Sequence, residues 1–392
     1  MVIIHNHIKF IELFLILVDL FMKKKIILFS NSFWNLYNFR EDLIKNLNCE
    51  YELCVVAPEG EYQNKFKELS IKVVNLNFSR ISVNPFHDII LFIKFLKICV
   101  FFKPDLILNF TIKPVIYGSL VGSLINTPCL NTITGLGRVF YPIWKDDLVR
   151  KIVIILYRIS LRKTFKIFFQ NKDDLNYFVN KRMISKKQSE LVWGSGVNLN
   201  KFNITKDHKN KSKITFLMIS RLVYQKGIIE YIQSSKQISQ KYHNINFILV
   251  GGLEKGPNAI PINEINKIDL KNFFYYDFTD DIKKYYSIAD CFVLPSYYRE
   301  GIPKVLLEAS ACGLPLIVAD NIGSKEVVYD GVNGYICKLN DYQDLTKKLE
   351  KFINLTDKEI ESLGKKSKEL AYKFYDVNIL IRKYITEIKK II

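Results

Sequence analysis

Short runs rich in Ile, Val, Leu and Phe alternate with segments of helical period along the chain, and the alternation starts afresh near residue 214. Such alternation is the signature of parallel α/β sheets, because each parallel crossover needs a helix. The first series predicts strands at 24–30, 51–57, 71–76, 105–109, 128–132, 165–169 and 190–193, with helices at 38–48, 86–102, 114–125, 146–163 and 172–180. Gly194-Ser195-Gly196 breaks the pattern, and the Lys- and Asn-rich stretch 201–213 reads as a linker. The second series predicts strands at 214–219, 245–250, 273–276, 291–295, 315–319 and 334–337, with helices near 227–241, 280–289, 303–312 and 341–353. The expected organisation is an extension (1–21), a Rossmann-like domain (22–200), a second one (201–375) and a C-terminal helix (376–392) that crosses back to the first. Two such halves leave a cleft between them, and ligands of these sheets bind beyond the carboxyl ends of the strands.

Two loops at such strand ends carry the chemistry. Glu300-Gly301-Ile302-Pro303-Lys304 continues to Glu308, so two carboxylates bracket a glycine–proline turn that opens a helix. A turn of that kind presents unpaired N–H groups at a helix N-terminus, where an anion or a ring of hydroxyls can dock. Upstream, Ser220-Arg221-Leu-Val-Tyr-Gln-Lys226-Gly227 places two cations between a strand and a helix. Carboxylates suit sugar hydroxyls, and an Arg fork with a Lys point charge suits a diphosphate that becomes a leaving group. Ala309, Ala311 and Gly313 permit close backbone approach behind the turn. Gly251-Gly252 ends a strand and lets a base approach the backbone, a weak signal by itself. Thr134-Gly135-Leu136-Gly137-Arg138 is a glycine loop after a first-domain strand, read either as an acceptor-side wall or as a structural turn.

The 392 residues carry 57 Lys and Arg against 39 Asp and Glu, a formal charge of +18, which asks for an acidic partner. No zinc pattern or RNA-binding signature supports nucleic acid, so an anionic membrane surface is the preferred partner. Residues 149–169 set Arg150, Lys151, Arg158, Arg162, Lys163 and Lys166 at helical spacing beside an apolar face, and 89–102 carries Lys94 and Lys97. Covering the sheet is the alternative for both segments. The seven cysteines are scattered in mostly apolar runs, as buried reduced thiols are, and no metal site is expected. Residues 2–21 are apolar but interrupted by Lys9, Glu12 and Asp19, too broken for a bilayer span. They read as a dispensable extension, with an interfacial helix as the rival.

Taken together, these motifs resemble the GT4 family of retaining glycosyltransferases, whose fold is GT-B. The family's E-x7-E element corresponds to Glu300 through Glu308, and its Ser-Arg-Leu…Lys-Gly element to Ser220 through Gly227. Phe169-Gln170-Asn171 and Gly194 through Phe202 resemble its inter-domain segments, and the similarity runs from Met22 to about residue 380. The Thr134–Gly137 loop and Tyr298–Pro303 are similar to the capsule and lipid-linked-oligosaccharide subgroup. The resemblance implies transfer of a hexose or N-acetylhexosamine from a UDP-sugar to a polyprenyl-diphosphate-linked sugar, with retained anomeric configuration and no metal or other cofactor. It implies that Arg221 and Lys226 hold the diphosphate, Glu308 the ribose and Glu300 the donor sugar. Gly301, Ile302, Pro303, Lys304 and Gly252 would line the donor, and Thr134, Gly135 and Gly137 the acceptor. Many family members carry a histidine where this chain has Thr134, so that residue's role does not transfer. The implied location is cytoplasmic, peripheral on the inner face of a bacterial plasma membrane. A sugar-nucleotide epimerase on the same fold and a non-catalytic nucleotide-sugar-binding subunit are the alternatives.

Overall fold

The computed structural model describes residues 23–80, 82, 84–137, 140, 147–204, 213–254 and 256–392. The N-terminal extension, most of the linker stretch and Arg138 lie outside the described residues.

The chain runs β1 (Lys25–Phe29), α1 (Phe33–Glu50), β2 (Glu52–Ala57), α2 (Gln63–Glu68), β3 (Lys72–Asn75), α3 (Pro85–Phe102) and β4 (Leu106–Phe110). A π-helical turn, Pro114–Gly118, leads into α4 (Ser119–Leu124), followed by β5 (Cys129–Ile133), α5 (Asp147–Ser160), β6 (Lys166–Phe169), α6 (Lys172–Asn180) and β7 (Ser189–Leu191). The second series is β8 (Ile214–Ile219), α7 (Ile228–Lys241), β9 (Ile245–Val250), α8 (Ile262–Asn266), β10 (Phe273–Tyr276), α9 (Lys283–Ile288) and β11 (Cys291–Leu294). It continues with α10 (Lys304–Ala311), β12 (Leu316–Ala319), β13 (Gly334–Cys337), α11 (Tyr342–Ile353), α12 (Asp357–Leu370) and α13 (Val377–Ile388).

The strands assemble into two sheets, ordered β3-β2-β1-β4-β5-β6-β7 and β10-β9-β8-β11-β12-β13. The pairings that define them are parallel, with β1 between β2 and β4 and β8 between β9 and β11. Helices on both faces leave such strands no wet side, so they read as continuous apolar runs. Cys291, Phe292, Val293 and Leu294 are accordingly all buried. The expected architecture, two parallel α/β domains of Rossmann type, is the one found. In each sheet the order reverses beside the first strand of its series, and such a reversal opens a crevice at the strands' carboxyl ends. In the second sheet the reversal lies between β8 and β11, the two strands that feed the Arg221 and Glu300 loops.

By backbone proximity the chain groups into two compact units, one holding the residues up to Thr132 with Leu156–Ile167 and Tyr384–Ile392, the other Ile133–Ile155 and Phe168–Lys383. In the first unit a buried polar chain links Asn109 to Asn131 (2.8 Å) and Asn131 to Ser119 (2.8 Å), while the hydroxyls of Thr132 and Tyr384 share a hydrogen bond. The buried Arg40 guanidinium there lies 5.0 Å from the Phe110 ring centre. In the second unit the N–H of Val197 donates to Tyr375 (2.7 Å) and that of Val377 to Val197 (3.0 Å). A β-carbon on Gly196 would fall 2.7 Å from the Val377 α-carbon, which explains the second glycine of the pair that breaks the sequence pattern.

Candidate active site

β8 ends at Ile219, and the chain turns through Arg221 into a single 3₁₀ turn, Tyr224–Lys226, before α7. Gly227 closes that turn at φ +78°, and a β-carbon there would lie 2.2 Å from the Pro295 carbonyl oxygen. Only glycine fits both the left-handed backbone and the close approach of the neighbouring loop. The Gln225 carbonyl then accepts hydrogen bonds from the N–H groups of Tyr297 (2.9 Å) and Tyr298 (3.1 Å) and from the Ser296 hydroxyl (3.2 Å). The two loops are thereby stitched together at their bases.

Stitching brings Lys226 and Glu300 into a half-buried ion pair through Nζ and Oε1. The Lys226 ammonium also lies 5.8 Å from the centre of the Tyr298 ring. Arg221 is more exposed and sits 3.4 Å from the Glu254 carboxylate. Both cations thus have protein carboxylates as partners. At α10 the residue before the first helical one is Pro303, whose carbonyl accepts the Leu306 N–H at 3.0 Å. Glu308, just over one turn in, is buried, and the Tyr286 hydroxyl donates to its Oε2 at 3.0 Å. Lys304 Nζ stands 3.9 Å from its Oε1. Burial raises the Glu308 carboxyl above its usual range, while Lys304 and Tyr286 pull it back down.

The backbone of Glu300-Gly301 is gripped from several sides. The Gly301 N–H donates to the Thr134 carbonyl at 2.9 Å, so that group is occupied within the protein. Gly135, at φ +119°, packs so closely that a β-carbon would stand 2.5 Å from the Gly301 nitrogen. Gly323 does the same from another side, 2.3 Å from the Gly301 carbonyl oxygen. Asn321 holds the Tyr298 carbonyl at 2.8 Å and Asn171 the Glu300 carbonyl at 3.3 Å. Thr134 and Gly135 are therefore neighbours of the Glu300 turn, and Gly137, at φ +61°, lies two residues further along the same loop. At Gly251 a β-carbon would fall 1.7 Å from the Ser220 carbonyl oxygen, so this glycine serves strand-end packing, and the Gly252 carbonyl accepts the Leu222 N–H at 3.2 Å. Among the described residues no cluster of His, Cys, Asp and Glu is arranged to hold a metal ion.

Sequence reasoning found the cations and carboxylates but missed Tyr286, Asn321 and Gly323, which hold them in place. Tyr286 carries no local signal, being one of 22 tyrosines and lying on a six-residue helix.

Comparison with known proteins matches residues 25–171 to the glycosyl transferase 4-like family model and residues 200–370 to the glycosyl transferases group 1 model. A Campylobacter jejuni N,N'-diacetylbacillosaminyl-diphospho-undecaprenol alpha-1,3-N-acetylgalactosaminyltransferase is 28% identical over 90% of this chain and 94% of its own length. An Escherichia coli UDP-Gal:alpha-D-GlcNAc-diphosphoundecaprenol alpha-1,3-galactosyltransferase is 25% identical over 68% of this chain and 70% of its own. In fold the chain resembles Anabaena Alr3699/HepE, solved in complex with UDP, with a TM-score of 0.76 at 18% identity over 94% of this chain and 100% of that one. It equally resembles a Rickettsia africae glycosyltransferase, with a TM-score of 0.77 at 17% identity over 94% and 98% of the two chains. With its two domain types in this order and its cation–carboxylate loops at the reversal of the second sheet, the chain belongs to the GT4-type glycosyltransferases of the GT-B fold.

Proposed function

We propose that this enzyme moves a hexose or N-acetylhexosamine from a UDP-sugar to a polyprenyl-diphosphate-linked sugar, with retained configuration, in the synthesis of capsule, O-antigen or a related surface glycan. The observation that carries this reading is the Lys226–Glu300 pair at the carboxyl ends of β8 and β11, beside the N-terminus of α10. The acceptor class follows from the two relatives that act on undecaprenyl-diphosphate-linked sugars.

In this reading the diphosphate takes Lys226 from Glu300 and Arg221 from Glu254, exchanging one anion for another at each cation. Glu300 is then free to accept hydrogen bonds from the donor sugar's hydroxyls. Glu308 accepts from the ribose, and backbone N–H groups near Ile302 to Lys304 meet donor oxygens. As the bond from the anomeric carbon to the phosphate oxygen breaks, negative charge grows on the departing UDP, where the two cations offset it. The acceptor hydroxyl attacks from the same face and gives its proton to the departing phosphate.

We place the enzyme on the inner face of the plasma membrane. Among the described residues no helix is long and apolar enough to cross a membrane. α5 exposes Leu148, Ile152, Ile155 and Ile159, and Lys151, Arg158, Arg162 and Lys163 are exposed along or just after it. α3 exposes Phe86, Ile89, Ile90, Ile93, Val100 and Phe101. Apolar stripes edged by cations suit an anionic lipid surface.

The test is UDP release from a panel of UDP-sugars with a crude lipid-linked acceptor. Lys226→Ala and Glu300→Ala are each expected to abolish transfer with native circular dichroism retained. Wild-type turnover in either variant refutes the site, and free sugar released without acceptor would favour an epimerase.

A further inference from the structure

Asp174 is the third residue of α6 and is only 1% exposed, and the function described above leaves it unused. Its two carboxylate oxygens are divided between two neighbours of the Glu300 turn. Oδ1 accepts from Arg299 through Nη2 at 2.8 Å and Nε at 3.2 Å, a two-point contact with the residue before Glu300. Oδ2 accepts from Asn171 Nδ2 at 2.9 Å, and the same amide reaches the Glu300 carbonyl at 3.3 Å. Asn171 is fixed in turn, because it caps α6 by accepting the Asp174 N–H at 2.7 Å. The guanidinium carbon of Arg299 lies 5.5 Å from the centre of the Tyr177 ring, one turn further along α6. One buried carboxylate thus holds the residue before Glu300 directly and Glu300's own carbonyl through an amide.

Burial pushes the Asp174 carboxyl up, and Arg299 and Asn171 oppose that shift. A desolvated ion pair is a poor device for stability alone, since packed apolar side chains do as well or better. What this pair supplies is geometry: two guanidinium donors converging on one oxygen, with the other oxygen held by Asn171, define an orientation that an apolar contact leaves loose. The Glu300 side chain is paired with Lys226, and in the function proposed above it exchanges that partner for a sugar while its backbone stays in place.

We propose that Asp174 is a positioning residue for the transfer, acting through Arg299 and Asn171 to fix the backbone from which Glu300 reaches the donor sugar. The proposal rests on the reading of Glu300 as the sugar's ligand. A shift of about 1 Å in a reacting group costs on the order of 100-fold in rate, so the latch is expected to show in kcat.

Three variants test it: Asp174→Asn, Arg299→Lys and Glu300→Ala. The probes are UDP and the UDP-sugar that the wild-type enzyme turns over fastest, with calorimetric binding, steady-state kinetics and thermal unfolding for each. Asp174→Asn is expected to lower kcat ~100-fold and to lose the extra affinity of the UDP-sugar over UDP, as Glu300→Ala does, while UDP itself binds within about threefold of wild type. Arg299→Lys keeps the charge but not the fork, and is expected to fall between, about 10-fold down in kcat. Arg299 is at the edge of the latch and partly exposed, so this variant serves if Asp174→Asn does not fold. Loss of UDP affinity and melting temperature together in both variants would make the latch merely structural and overturn the proposal. Wild-type kinetics in Asp174→Asn beside an inactive Glu300→Ala would overturn the latch alone. An active Glu300→Ala would instead remove the reading beneath it.

Discussion

If Glu308 holds the ribose, as proposed, a single hydroxyl bears on the working range of that acid. Only the ionised carboxyl accepts at both oxygens, as a pair of ribose hydroxyls requires, yet burial holds it above its ordinary range, and the Tyr286 hydroxyl is one of the groups that lower it. Tyr286→Phe removes that donor, so the carboxyl rises further and is neutral over more of the acid side. The acidic limb of kcat/KM for the donor is therefore expected to move to higher pH in Tyr286→Phe, with little change on the alkaline side. Superimposable profiles would show that Tyr286 does not tune Glu308. A buried oxygen left short of a donor costs about 1–3 kcal/mol, so a lower melting temperature should accompany the shift. At this scale Lys226, Glu300 and Glu308 were legible because each sits at a fixed offset in a loop whose glycines and proline announce a turn. Tyr286, Asn171, Asp174 and Arg299 were not, because their meaning is a contact across more than a hundred residues for the Asp174 pair and 22 for the tyrosine. Nothing in the local pattern of a helix marks which of its polar side chains will find such a partner.

The elements followed the sequence closely wherever an apolar run was bounded by turn residues. β9 lies where the alternation put it, because a strand covered on both faces leaves an uninterrupted apolar signature, and the edge strand β10 lies where its aromatic run put it although Phe274 and Tyr276 are exposed. α2 and α8 escaped because six and five residues are too few to display a helical period. α6 begins where Asn171 caps it, and its first N–H meets a carboxylate of unusual character from the Lys325–Val327 turn. Glu326 accepts the Lys172 N–H there at 3.2 Å, but burial first, with Asp173 and Asp174 adding, pushes its carboxyl up to about 7. An unfolded chain releases that proton near the ordinary value of 4.5. Between those two values the native state holds a proton that the unfolded state has lost, so stability falls as pH rises through the window. Glu326→Gln has no proton to lose, and its urea midpoint is expected to change less between pH 5 and 7.5, in ~0.5-unit steps, than the wild type's. Parallel midpoint curves would mean that Glu326 is not the group responsible.

For the molecule as a whole, the proposed membrane contact would draw in different ways on a net charge of +18 and on two helices with exposed apolar stripes. Charge acts at a distance and is screened by salt within about 10 Å at 0.1 M. Apolar burial acts only on contact and is nearly indifferent to salt. A polybasic surface gains about 1 kcal/mol per Lys or Arg near an anionic leaflet. Arg158, Arg162 and Lys163 changed together to Glu remove three such contributions and add repulsion, so partition onto phosphatidylglycerol vesicles should fall by at least about 100-fold at low salt. Ile155→Ser with Ile159→Ser leaves the charge unchanged and removes exposed apolar surface from α5. That variant should still gather at anionic vesicles in low salt, and lose the fraction of binding that persists in the wild type at high salt. The two losses are separable because only the electrostatic part is screened by salt. Unchanged partition of the charge variant across the salt series would retire the basic surface as a docking device, and the +18 would then describe solubility alone.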